Sequence, residues 1–182
     1  MYTEALASHY EHVWASQSQL CNWSGGPIRD ILPNFSVLKF GPRDSRAMWT
    51  YATCGMSEEI TTSPVELHLF SQAEDDSLCE LLSAIAHFHN IGEALGLGHT
   101  VNFGRPWSES SACTYGLISL PYLDGPELEN FTFGGRNIRC LWLVPITEAE
   151  RQFKIVQGLE KLEEQFEASG FNYADPLRPS VT

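Results

Sequence analysis

The chain has 182 residues, with 23 acidic side chains against 11 basic ones and a formal charge of −12. It is 43% apolar and 19% charged, which excludes a disordered or fibrous chain and suits one ordinary domain. The acidic balance excludes a sequence-independent grip on DNA or RNA, because that grip rests on lysine and arginine neutralising phosphates.

The first segment lacks a basic region followed by an apolar one, so it does not read as a signal peptide. Residues 3–20 place Leu6, Tyr10, Val13, Trp14 and Leu20 on one stripe, which predicts an amphipathic helix. The Cys21–Pro27 stretch, with its two glycines and proline, ends it. Residues 31–39 are apolar and irregular, and 41–44 form a turn. Trp49–Cys54 is rich in aromatic and β-branched residues, a strand signal. Val65–Phe70 alternates: Val65, Leu67 and Leu69 point one way and Glu66 and His68 the other, the period of a half-buried strand. Ser71 and Glu74 have capping-box spacing, and Leu78, Leu81, Leu82, Ile85 and Phe88 continue as a helix to about Asn90–Gly92. Residues 95–101 read as a loop. Thr114–Leu120 and Ile138–Val144 are apolar runs of strand length. Thr147 and Glu150 form a second capping-box pattern. Phe153, Val156, Leu159, Leu162 and Phe166 carry one helix to Gly170, and the tail is irregular. Strands and helices do not strictly alternate. The expectation is therefore a single α+β domain over residues 1–182, a mixed β-sheet flanked by helices.

No stretch reaches about 18 uninterrupted apolar residues, so no membrane span is expected. The five cysteines are widely spaced and odd in number, which predicts reduced, buried thiols in the cytoplasm. The sequons at Asn22, Asn34 and Asn130 are then accidental.

No assembled catalytic or metal set emerges, so the chain reads as a non-enzyme with no cofactor and no metal. His87 and His89 stand two apart and leave a helix on different sides, and there is no HExxH or CxxC pair. Gly55-Met-Ser57 begins like a nucleophile elbow, but Glu59 stands at the second glycine's place. Gly96-Leu-Gly98 lacks a dinucleotide fingerprint's third glycine, with Val101 there instead. An uncharacterised metal-dependent hydrolase, using His87, His89 and His99, is kept as an alternative.

The charge points to a partner. Residues 47–135 hold twelve acids against Arg105 alone: Glu58, Glu59, Glu66, Glu74, Asp75, Asp76, Glu80, Glu93, Glu109, Asp124, Glu127 and Glu129. Such a field steers basic proteins. Candidate partner-binding residues are Glu58, Glu59, Asp75, Asp76, Asp124, Glu127 and Glu129. Trp107 joins them as a loop aromatic able to anchor a partner or to cover the core.

Several stretches resemble one family. They are Tyr51–Ser57, Val65–Phe70, Leu81–Phe88, Leu97–Trp107 with its Phe-Gly-Arg-Pro-Trp, Tyr115–Pro121, and Cys140-Leu-Trp-Leu-Val-Pro-Ile-Thr-Glu-Ala-Glu150 followed by Gly158. With the tail from Asp175 to Val181, they resemble the Suppressor of fused domain over roughly residues 35–182, leaving 1–34 as an N-terminal helix and connection. The resemblance implies an α/β sandwich with a mixed sheet. The longer eukaryotic members repress zinc-finger transcription factors of the Hedgehog pathway, clamping a peptide as an added strand, a mode with a general physical basis. Stand-alone bacterial members are thought to be immunity proteins that neutralise a toxin encoded beside them. By this resemblance the chain is expected to be a cytoplasmic bacterial immunity protein that binds a basic toxin, with no nucleic-acid or membrane partner. The alternative is a general interaction or regulatory module. No catalytic residue carries over from the family.

Overall fold

A computed structural model describes residues 1–21, 26–60 and 62–182. The sequon at Asn22 and most of the Cys21–Pro27 stretch lie outside the described residues.

In chain order the elements are α1 (Tyr2–Val13), β1 (Gln19–Leu20), α2 (Ile28–Ile31), β2 (Ser36–Phe40), β3 (Trp49–Cys54) and β4 (Val65–Ser71). There follow α3 (Ser77–Ile91), β5 (Thr100–Asn102), β6 (Cys113–Ser119), α4 (Gly125–Glu129), β7 (Asn130–Phe133), β8 (Arg136–Thr147), α5 (Glu148–Gln157) and α6 (Leu159–Ser169). The strands make one sheet in the order β1-β2-β3-β4-β8-β6-β5, with β7 also paired to β8. β4 and β8 run parallel, with Val65 opposite Arg139 and His68 opposite Trp142, and the other pairs are antiparallel. The sheet is therefore mixed and flanked by helices, as the sequence predicts.

Strand parity sorts the core. Val37, Tyr51, Val65, Leu67, Leu69, Leu141 and Leu143 pack against Leu78, Leu81, Leu82 and Ile85 of α3. On the opposite face, Leu38, Phe40, Ala52, Cys54 and Cys140 meet Tyr2, Leu6 and Tyr10 of α1 and Trp14 just after it. Further along that face, Phe70, Leu117, Trp142 and Val144 meet Leu162 and Phe166 of α6 and Ala174 of the tail. Covered on both sides, β4 is buried along its whole length, which corrects the half-buried reading. Its alternation reflects two chemically different cores, not core against solvent.

Other expectations shift for local reasons. The first helix stops at Val13, not residue 20, because the Arg43 guanidinium donates to the carbonyls of Trp14 and Ala15 and closes its C-terminal end. Leu20 then sits on the β1 edge and is exposed. The Ser71–Glu74 capping box does not form: the Ser71 hydroxyl donates to the Ala73 carbonyl at 2.8 Å, and α3 begins at Ser77. Residues 100–102 are an edge strand rather than loop. β8 runs through Pro145 to Thr147, since β4 pairs with it only as far as Trp142 and a proline there costs little on the open side. The Thr147–Glu150 capping box does form, with the Glu150 amide donating to Thr147 Oγ1 at 3.2 Å and the Thr147 amide to Glu150 Oε2 at 2.8 Å. The last helix is two, broken at Gly158, whose φ of +96° suits glycine. Gly116 has a packing reason instead: a Cβ there would lie 2.6 Å from Leu143 and 2.7 Å from the Phe103 ring.

Cys21 and Cys79 are joined as a disulfide with Cα atoms 6.3 Å apart, while Cys54, Cys113 and Cys140 are free and buried. This corrects the expectation of five reduced thiols.

Candidate protein-binding surface

The loop from β4 to α3 carries three acids in a row, and its backbone is held from several sides. The Asp75 amide donates to the Tyr51 hydroxyl at 2.7 Å, and Asp75 Oδ1 accepts from the Ser77 amide at 2.9 Å. Lys39 of β2 bridges Glu74 and Asp76, and the bond to Glu74 leads in raising the lysine's pKa. Facing this loop is the 105–110 loop, stitched to it where Arg105 donates to the Ser77 carbonyl at 2.9 Å. Between them lies a cleft of about 670 Å³ lined by Glu74, Asp75, Arg105, Glu109 and Pro176. Among its charged lining residues, acids outnumber bases.

Trp107 anchors the second loop. It is 1% exposed, within the core that α3 covers, and its amide donates to the Cys113 carbonyl at 3.0 Å. The expectation of an exposed aromatic anchor is thus corrected. The apolar ring gains more by entering the core than by facing water, and it thereby positions Glu109.

The remaining expected residues divide by exposure. Glu59, Asp76 and Glu127 are exposed. Glu58 is half-buried and accepts from the Asn34 amide group at 3.3 Å. Glu129 is half-buried and paired with Arg139. Asp124 is turned inward, its side chain 5% exposed, and pairs with Arg46. The fold thus brings Asp75 and Asp76 together, leaves Glu58 and Glu59 on the separate β3–β4 connection, and withdraws Asp124 from solvent. Glu74 and Glu109, counted among the twelve acids but not singled out as candidate residues, line the cleft. Glu109's place two residues after a buried tryptophan was the signal for it.

The interior polar residues build structure. Glu66 is fully buried and accepts four hydrogen bonds: from the Tyr2 hydroxyl at 2.8 Å, Thr53 Oγ1 at 2.6 Å, and the amides of Met56 and Ser57 at 3.2 and 3.1 Å. Burial pushes its carboxyl pKa up, and those donors pull it back. Ser57 lies 3.4 Å from His89 Nε2, a pairing that resembles a nucleophile and its base. But Ser57 is buried, donates to the Val65 carbonyl at 2.6 Å and accepts from the Val65 amide at 2.9 Å. His89 Nδ1 accepts from the Leu95 amide at 2.9 Å. The elbow-like segment is therefore a turn that shapes the Glu66 site.

His87, His89 and His99 do not come together as a metal-ligand group among the described residues. Cys21, Asp76 and Cys79 do lie within 4.8 Å of one another. There the disulfide uses both sulfurs and Lys39 takes the carboxylate.

The family model described as Suppressor of fused protein (SUFU) matches residues 32–179. The chain belongs to the Suppressor of fused family. A crystal structure of a Suppressor of fused homologue from Neisseria gonorrhoeae FA 1090 superposes with a TM-score of 0.87 at 33% identity, covering 100% of this chain and 97% of that one. The crystal structure of the Sufu–Fu complex gives 0.68 at 14% identity, over 91% of this chain and 84% of the other. Drosophila Suppressor of Fused gives 0.67 at 14% identity, covering 99% of this chain but only 51% of the fly protein. This chain thus spans about half the length of the fly protein. No curated protein matches the sequence. At 14% identity the last two show the Suppressor of fused fold alone. The Sufu of that second structure is seen in a complex with Fu.

Proposed function

We propose that this chain is a non-enzymatic protein-binding domain that captures a basic protein, and that the partner is a toxin which it neutralises as an immunity protein in the cytoplasm. The observation that carries this reading is the exposure of the charge. Of the twelve acids in residues 47–135, Glu59, Glu74, Asp76, Glu80, Glu93, Glu109 and Glu127 are exposed, while Arg105 is held to the backbone of Ser77. A surface of one sign speeds capture of the opposite one and disfavours other partners. A stable complex of ordinary size would bury about 800 Å² on each side. No helix among the described residues is long and apolar enough to cross a membrane.

Co-expression with the products of the neighbouring genes tests the reading. Rescue of cells from a toxic neighbour is expected. The rescue should fail, and the salt dependence of binding should fall, when Glu59, Glu74, Asp76 and Glu127 are changed to lysine together. Undiminished rescue by that variant would remove the acidic surface from the account. A binding partner that is not toxic would favour the general regulatory reading. The Cys21–Cys79 disulfide stands against the cytoplasmic part of this reading, because cytosolic thiols are normally kept reduced, and finding it intact in the native host would overturn that part.

A further inference from the structure

A second concave surface lies on the opposite side of the sheet from α3. It runs between α6 and strands β6 and β8 and has a volume of about 780 Å³, within the usual size range of ligand sites. Its apolar wall is aromatic. Trp142 meets Tyr173 edge to face at 5.1 Å, and Phe166 stacks on Phe171 at 4.3 Å. Tyr122 and Leu123 stand exposed at the rim. Its other wall is a row of carboxylates, Glu160, Glu163, Glu164 and Glu167. They occupy positions i, i+3, i+4 and i+7 of α6, a spacing at which like charges destabilise an isolated helix. Glu163 is fixed there by Ser119 Oγ at 2.8 Å and the Tyr122 hydroxyl at 3.2 Å. Lys161 pairs with Glu164 from outside, and no lysine or arginine is among the residues lining the groove. Carboxylates beside the accessible rings of Tyr122 and Tyr173 suit a group with an apolar stem and a cationic head. The neighbouring Phe166–Phe171 pair holds one such group of the chain itself, since the Arg178 guanidinium lies 5.9 Å from the Phe166 ring and 5.1 Å from that of Phe171.

We propose that this groove docks an arginine- or lysine-bearing segment of a protein partner. The stem lies on the exposed Tyr122 and the half-buried Tyr173 beside Trp142, and the head lies among the α6 carboxylates. The inference rests on the reading above that the partner is a basic protein. It places the carboxylates that hold the cation outside residues 47–135, where the bulk of the charge lies.

The test uses the whole chain and a fluorescein-labelled peptide of alternating arginine and glycine, followed by anisotropy at low salt. Changing Glu160, Glu164 and Glu167 together to glutamine is expected to weaken binding by about tenfold or more, while the same change at Glu80, Glu93 and Glu109 costs less than about threefold. Tyr122→Ala should weaken it by about fivefold and Tyr122→Phe by much less, because the ring supplies the contact. The indole N–H resonance of Trp142 should move on titration and that of Trp107 should not. Equal losses from the two glutamine triples, or a Trp142 resonance that stays put, would overturn the proposal. So would self-association through α6 with no peptide bound. Growth rescue is scored separately. Rescue by wild-type protein that ignores the peptide sinks the groove and leaves toxin neutralisation standing. Peptide bound in the groove without rescue of toxin-expressing cells does the reverse.

Discussion

His68 shows at the scale of one residue what the β-strand pattern conceals. Its ring sits among Trp14, Phe70 and the Arg46 guanidinium and is 1% exposed. Burial, followed by the positive charge of Arg46, pushes its pKa down to about 3. The folded value lies below the ordinary 6.5, so the unfolded chain takes up the proton first as pH falls. The stability His68 supplies is complete above about pH 6.5 and drains away toward pH 3, at roughly 1.4 kcal/mol per pH unit. Burial also lowers the pKa of His89, which adds to the same window. The His68 share of the stability difference between about pH 7 and pH 5 should be roughly 2 kcal/mol, read in urea unfolding as the fall in pH dependence in His68→Phe. An unchanged pH slope in that variant would refute this account. The ion pair of Arg178 with Glu150 is a second test. Arg178 donates to both carboxylate oxygens at 2.7 and 2.8 Å and to the Pro145 carbonyl at 2.9 Å, all out of solvent. Arg178→Ala leaves Glu150 buried without its cation and should cost about 3–5 kcal/mol in chemical denaturation.

At the scale of elements, caps decide where helices stop, and caps are legible only when both partners are near in sequence. Thr147 and Glu150 are three apart, so the start of α5 is readable from the chain. Arg43 closes α1 from 28 residues away, so the end of that helix is not. Gly158 is a middle case. Glycine inside a helical pattern is tolerable, and only the backbone shows that it breaks the helix with φ of +96°. Nothing lies within 4 Å of a Cβ placed there, so the strain of Gly158→Ala is conformational alone. It should lower stability by about 1 kcal/mol, seen as a drop in melting temperature without loss of helix signal. A rise in stability would mean that α5 and α6 can merge. The same break turns α6 on its own axis. The stripe expected to bury Val156 leaves it exposed, and Glu160, Glu163, Glu164 and Glu167 instead face one groove.

At the scale of the molecule, the Cys21–Cys79 link ties the chain before α2 to α3 across 58 residues. On the chain-entropy view, closing a loop of that size stabilises the fold by about 4 kcal/mol. Reduction, or Cys79→Ser, should lower the unfolding midpoint accordingly, and a midpoint indifferent to reductant would show that the link does not form in solution. The sequence by itself determined the α+β class, the family, the strands at 49–54, 65–70 and 138–144, and the acidity, because each depends on residue type, short-range period or motif order. The tertiary structure alone decided which charges face outward. Trp107 and Asp124 read as surface candidates until the core and Arg46 claim them. Residues 136–182 count as almost neutral, yet the fold sorts that segment into a buried Arg178–Glu150 pair and an acidic wall on α6. A charge count sums along the chain. A partner meets only the potential of side chains that share a face, and that sharing is set by long-range contacts.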